Sequence, residues 1–102
     1  MTVAVEGFDW DDGNRQKCQK HGLSIDEIEY VVSHAETLIV HDAKNSATES
    51  RLIAVGRTRH GRYAFVAFTP RTRDGRLLLR PISARYMHRK EVAKYEKESS
   101  SL

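Results

Sequence analysis

"SRLIAVGRTRHGRYAFVAFTPRTRDGRLLLRPISA", Ser50 to Ala84, is the stretch on which the fold turns. Its apolar residues fall into three runs, "LIAV", "YAFVAF" and "LLL", separated by polar segments that carry Gly, Pro and Asp. Runs of this length and composition between such punctuation read as β-strands. Turns this short join antiparallel neighbours, because a parallel return needs a long crossover. The expected strands are "SRLIAVGRT", "YAFVAFTP" and "LLLRPISA", with "RHGR" and "RTRDGR" as the turns. Upstream, "TLIVHD" supplies one more strand and "AKNSATE" the polar turn after it.

The last strand contains a conflict. Leu77 to Leu79 begin it as core, yet Arg80, Pro81 and Arg85 follow. An unpaired buried charge is expensive, so these arginines must reach solvent, meet a partner or face an anion. In ideal alternation Leu78, Arg80, Ile82 and Ala84 share one side, and Leu77, Leu79, Pro81, Ser83 and Arg85 the other. Pro81 has no N–H to give a ladder, so it implies an edge position or a bulge. Arg80 and Arg85 can serve one anion only if the strand bulges or ends between them. On the preceding strand Glu49, Arg51, Ile53, Val55 and Arg57 lie on one face, charged at its ends and apolar in the middle. Together these patterns suggest a concave sheet face lined with arginine.

Working outward, "VAVEGFDW" predicts a first strand from Val3 to Trp10, and Asp11 or Asp12 can cap the helix "GNRQKCQKH" that follows. That helix stops at Gly22, with Lys20 and His21 in its last turn, where positive charge suits the dipole. "SIDE", Ser24 to Glu27, has capping-box spacing and starts a second helix with Ile25, Ile28, Val32 and Ala35 as its apolar stripe, ending near His34. The closing segment "MHRKEVAKYEKE" predicts a charged helix that docks through Val92 and Tyr95, with residues 98–102 as a frayed tail. The order β-α-α-β-β-β-β-α describes one α+β domain over residues 1–102: an antiparallel sheet, two N-terminal helices packed on one face, and a C-terminal helix.

At 102 residues the chain has room for one modest core. With 39% hydrophobic and 30% charged residues, a folded soluble protein is expected rather than a disordered one. No apolar run approaches the ~20 residues of a membrane span, and "MTVAVEGFDW" lacks the build of a secretory signal, so a cytoplasmic location is expected. Cys18 is alone, which excludes an internal disulfide and a cysteine-based zinc site, and reads as helix filler. Residues 1–50 hold four Lys and Arg against ten Asp and Glu, a balance of −6; residues 51–102 hold thirteen against four, a balance of +9. Ten of those thirteen are arginines, whose planar fork matches phosphate and carboxylate. Nucleic acid and an acidic protein partner both fit such a surface, as does a solvated face that merely prefers arginine.

The constellation with the most chemistry is Lys20-His21-Gly22 with Glu49, Arg51, Arg80 and Arg85. RNA cleavage through its own 2′-hydroxyl needs a base, a proton donor and positive charge around the phosphate, and no metal or other cofactor. His21 or Glu49 can move the protons, while Arg51, Arg80, Arg85 and Lys20, with Arg57 nearby, can hold phosphate. The plainer reading makes Lys20 and His21 dipole partners of a helix end and Glu49 with Arg51 a surface pair. The five histidines, at 21, 34, 41, 60 and 88, form no i,i+4 pair and no HExxH motif. Phosphate-cradling glycine loops and a Gly-flanked serine elbow are also missing. Along the last helix glutamates interrupt the lysines and arginines, a pattern of a solvated surface rather than of a DNA-reading helix.

"FDWD", "KHGLS", "ESRLIAVGRT", "ISAR" and the spacing of Glu91 and Tyr95 resemble, in order from Phe8 to Tyr95, the BrnT family of type II toxins, which have a RelE-like fold. The resemblance implies a small ribonuclease that cleaves messenger RNA and is neutralised by a partner antitoxin. It further implies an antitoxin with a ribbon-helix-helix domain, through which the complex meets DNA. The family's Lys-His-Gly falls on Lys20, His21 and Gly22, its Glu-x-Arg on Glu49 and Arg51, and its Ile-Ser-Ala-Arg on Ile82 to Arg85, with the preceding strand arginine on Arg80. Pro81 stands where an apolar residue is more usual. No membrane contact is expected, and a homo-oligomer is compatible with the pattern. The competing expectation is a non-catalytic module whose arginine face holds an acidic protein segment or nucleic acid.

Overall fold

A computed structural model describes residues 5–34, 38–41 and 51–100. Its elements are α1 (Asp12–Gln19), α2 (Ile25–Ser33), β1 (Leu38–His41), β2 (Leu52–Arg57), β3 (Tyr63–Arg73), β4 (Arg76–Tyr86) and α3 (Arg89–Ser100). The four strands form one antiparallel sheet in the order β1-β2-β3-β4. The α+β class and the antiparallel sheet agree with the expectation.

Local chemistry places the helices where the spacing predicts. Asp11 accepts from the Asn14 N–H, and the Asn14 side chain accepts from the Asp11 N–H, so a reciprocal capping box opens α1. Ser24 and Glu27 form the second box at α2. Gly22 joins them at φ +100°, a conformation that glycine adopts without strain, and an added Cβ would also stand 3.7 Å from the Tyr86 ring. Ile28, Val31 and Val32 are the buried residues of α2, so Val31 belongs to a stripe expected from Ile25, Ile28, Val32 and Ala35; Ala35 lies outside the described residues. With Cys18 and Leu23 they meet Ala54, Ala64, Val66, Phe68 and Ala84 of the sheet. Both N-terminal helices therefore cover the same face, and each large buried side chain there contributes roughly 1.5–3 kcal/mol.

Three expectations need correcting. The expected first strand, Val3 to Trp10, is not a sheet strand over its described residues: within residues 5–10, only Phe8 bridges Leu79, in parallel sense. Backbone bonds from Glu6 N to Leu77 O, Asp9 N to Leu79 O and Leu79 N to Gly7 O hold the segment beside β4. Gly7 at φ +151° prevents a regular pleat there. Among the described residues the element order therefore lacks the leading strand. The polar segment "RTRDGR" is mostly strand, because Asp74 and Gly75 alone form the turn, with φ of 52° and 75°. Two positive φ values suit the twist of a two-residue hairpin. The expected tail begins too early, since α3 continues to Ser100; residues 101–102 lie outside the described region, as do the expected turn residues 43–49.

Candidate nucleotide site on the open sheet face

Pairing between β3 and β4 shifts by one residue. Ala67 faces Ser83 while Phe68 faces Pro81, leaving Ile82 as the extra residue of a bulge. Pro81, the residue without an N–H, sits next to this break. The bulge resets the alternation: Arg80 pairs with Thr69 and Arg85 with Phe65, two β3 positions of one parity. The core face holds Ala64, Val66, Phe68 and Ala84, so Ile53, Phe65, Ala67, Ser83 and Arg85 belong to the opposite face.

On that face His21, Arg51 and Arg85 line one hollow of about 350 Å³, together with Ile53, Phe65, Ala67 and Ser83. His21 reaches it from the α1–α2 corner. The Arg85 guanidinium stands 4.6 Å from the centre of the Phe65 ring. Its two terminal nitrogens donate to the two Glu91 oxygens at 2.8 and 2.9 Å. Glu91 also accepts from the His88 N–H at the start of α3. These bonds, those from Arg85 first, hold its carboxyl down at about 2. The pair remains accessible, with the Arg85 side chain 44% exposed.

Arg80 does not line the hollow. Its Nη2 lies 2.8 Å from Asp11 Oδ2 and its Nη1 3.5 Å from Asp9 Oδ2, which ties β4 to the cap of α1 and to the N-terminal segment. Burial opposes its charge, but Asp11 and Asp9 outweigh that and raise its pKa. Lys20 is the exposed C-cap of α1, beside His21. Arg57 bonds the Tyr63 hydroxyl at 2.9 Å and stands over that ring, lining a different hollow with Arg62 and Met87. Glu49 lies outside the described residues. The structure thus gathers His21, Arg51 and Arg85, with Lys20 adjacent to His21, and separates Arg80 and Arg57 from them.

Several residues of this region were not singled out by the sequence. Asn14 is buried and its amide donates to Asp9 O at 3.0 Å and Pro81 O at 2.9 Å, pinning α1 against the bulge. Tyr86 donates to Glu27 at 3.1 Å while Arg62 lies 3.7 Å from the centre of its ring. Burial, then Glu27, raises the Tyr86 pKa; the Ser24 backbone chiefly lowers that of Glu27. Ala67 and Ser83 carry no periodic or motif signal of a site until the strand register is known. A larger hollow of about 750 Å³ is lined by Asp26, Glu27 and Glu29 beside Arg59 and His60, and its carboxylates disfavour phosphate. Among the described residues no three His, Cys, Asp or Glu side chains group as metal ligands, and no helix is long and apolar enough to cross a membrane.

No curated protein matches the chain. A family model does, over residues 10–91, described as the ribonuclease toxin BrnT of type II toxin–antitoxin systems. That span includes α1, α2, every strand, the bulge and Glu91, and so covers the whole hollow. The chain belongs to the BrnT family of type II toxin–antitoxin ribonuclease toxins.

Proposed function

We propose that this BrnT-family chain cleaves messenger RNA at the hollow formed by His21, Arg51 and Arg85, without a metal. The observation that carries the reading is the convergence of an imidazole with two guanidinium groups on an open sheet face. In the reaction the 2′-oxygen attacks the adjacent phosphorus as its proton passes to a base. The phosphorus–O5′ bond then breaks, and O5′ takes a proton as it leaves. The products are a 2′,3′-cyclic phosphate and a 5′-hydroxyl, and no atom is added. His21 and Glu49 are the groups for the two proton transfers. Arg51 and Arg85 stabilise the charge that grows on the phosphoryl oxygens, and Lys20 extends the positive field. Arg57 serves RNA outside the hollow. Arg80 acts through the frame, holding β4 against Asp9 and Asp11.

Further parts of the proposal follow the family: a RelE-like fold, action in the cytoplasm, and neutralisation by a cognate antitoxin with a ribbon-helix-helix domain that brings the complex to DNA. The test is expression of the protein alone, with growth and RNA integrity followed beside folded variants. Arg51→Ala and Arg85→Ala are expected to lower cleavage at least 100-fold, a typical loss when an electrostatic stabiliser is removed. Arg80→Ala is expected to cost roughly 1–3 kcal/mol of stability instead, because Asp9 and Asp11 lose their shared cation. Intact RNA with abundant, folded wild-type protein would refute the ribonuclease reading. Salt-sensitive RNA binding without cleavage would select the non-catalytic module.

A further inference from the structure

The hollow contains more than a phosphate requires. Arg51, Arg85, His21 and Ser83 offer charge and hydrogen bonds, but Ile53, Phe65 and Ala67 offer apolar surface that an inorganic anion cannot use. Its volume of about 350 Å³ is near the lower end of ligand clefts, roughly 300–1,000 Å³, and suits one small organic group. The relief follows from the register. Along this face of the sheet, Ile53 on β2, Phe65 on β3 and Arg85 on β4 are large, whereas Ala67 and Ser83 stand directly opposite each other at the last regular pair before the bulge. Two small side chains at one rung, next to larger ones, leave a depression between the strands.

From these features we infer that the hollow seats a single ribonucleotide, its base over Ala67 and against Ile53 and Phe65, its phosphate at Arg51 and Arg85, with Ala67 and Ser83 as the steric gate that admits the base. The inference rests on the proposed RNA site and adds a nucleobase subsite to it. Arg85 covers part of the Phe65 ring, so the base meets Phe65 beside the guanidinium, close to the phosphate that the same arginine binds. Ser83 contributes its hydroxyl to the polar edge of the base or to the ribose. Larger side chains at either gate position would point away from the helix-covered core, which separates occupancy of the hollow from stability of the fold.

The experiment titrates the full chain with inorganic phosphate and with each of the four nucleoside 3′-monophosphates, read by calorimetry and amide chemical shifts. At least one nucleotide is expected to bind about tenfold or more tightly than phosphate, within the contribution of base–aromatic stacking. Ala67→Leu is expected to bring nucleotide affinity down to that of phosphate while leaving phosphate affinity within about twofold. Ser83→Leu fills the same depression from β4 and is expected to act alike, so the test survives if one variant fails to fold. Phosphate binding with no gain for any nucleotide overturns the base subsite and leaves the arginine site standing. A nucleotide advantage that persists in folded Ala67→Leu or Ser83→Leu overturns the gate. If wild type binds neither probe, the arginine site itself falls and the subsite with it.

Discussion

Arg80 and Arg85 come from one short run of sequence, yet their charges are balanced in different ways. Arg80 lies between two carboxylates with its side chain 21% exposed, whereas Arg85 shares a single carboxylate, that of Glu91, at the rim of the hollow. An exposed pair of this kind is worth little net free energy, so a phosphate can compete with Glu91 for the Arg85 fork. Glu91→Gln is therefore expected to tighten RNA binding, seen as a lower Kd in fluorescence anisotropy at fixed salt; weaker binding would instead make Glu91 the group that positions Arg85. The same substitution has a pH signature. The Glu91 carboxyl is lowered from an ordinary 4.5 to about 2 in the folded chain. Its stabilising effect is therefore complete above about 4.5 and is lost as pH falls through about 2. The urea midpoint of Glu91→Gln should lie below wild type at pH 7, and the gap should close towards pH 2. A gap independent of pH would refute this linkage.

At the scale of elements the Ile82 bulge is the break in the pairing of β3 with β4. Deleting Ile82 would remove the extra residue and leave Phe68–Pro81, Ala67–Ser83, Val66–Ala84 and Phe65–Arg85 as one continuous register, with Ala84 still in the core and Arg85 still on the open face. No buried position changes face, so the deletion variant is expected to melt cooperatively and to retain cleavage, checked by thermal melts and an RNA assay. A folded deletion variant that no longer cleaves would show that the local bend of the bulge, and not the register alone, orients Arg85. The need for a break near Pro81 was legible in the sequence, because proline lacks a donor and the arginines had incompatible parity. The Ser24–Glu27 capping box was legible too, since it depends on residues three apart, whereas at α1 the sequence offered Asp11 or Asp12 as a cap without the box to Asn14. Long-range partners were not: Asn14 satisfies the carbonyl of Pro81, 67 positions away, and nothing local marks it. The N-terminal segment misled for a related reason. Its alternation resembles a strand, but Gly7 and the parallel approach to β4 allow only a single bridge. Likewise, Asp74-Gly75 was read as part of a longer turn because the flanking arginines and threonine are polar on an exposed ribbon.

Across the whole molecule, His21, Arg51 and Arg85 come from the first, middle and last parts of the chain yet line one hollow, so local order near that hollow depends on the core beneath it. Cys18 reports on that core. It is fully buried and its thiol is pushed up to about 11, chiefly by desolvation, so both access and thiolate formation require opening. Alkylation of Cys18 at pH 8 is expected to be at least 100-fold slower than in urea-unfolded chain, and destabilising changes such as Arg80→Ala should accelerate it in step with the lost stability. Rapid labelling of the native protein would contradict the packing of α1 on the sheet. The hairpin at Asp74 and Gly75 has a further use. Among the described residues β2 pairs with β3 as far as Phe68, so the distal halves of β3 and β4 run on beyond it, with the N-terminal segment bonded to β4 at Leu77 and Leu79, and at the tip an added Cβ on Gly75 meets nothing within 4 Å. That tip is an attachment point: a dye, epitope or short flexible insert placed between Asp74 and Gly75 would let binding be followed optically while the nucleotide hollow and the helix-covered core stay as they are.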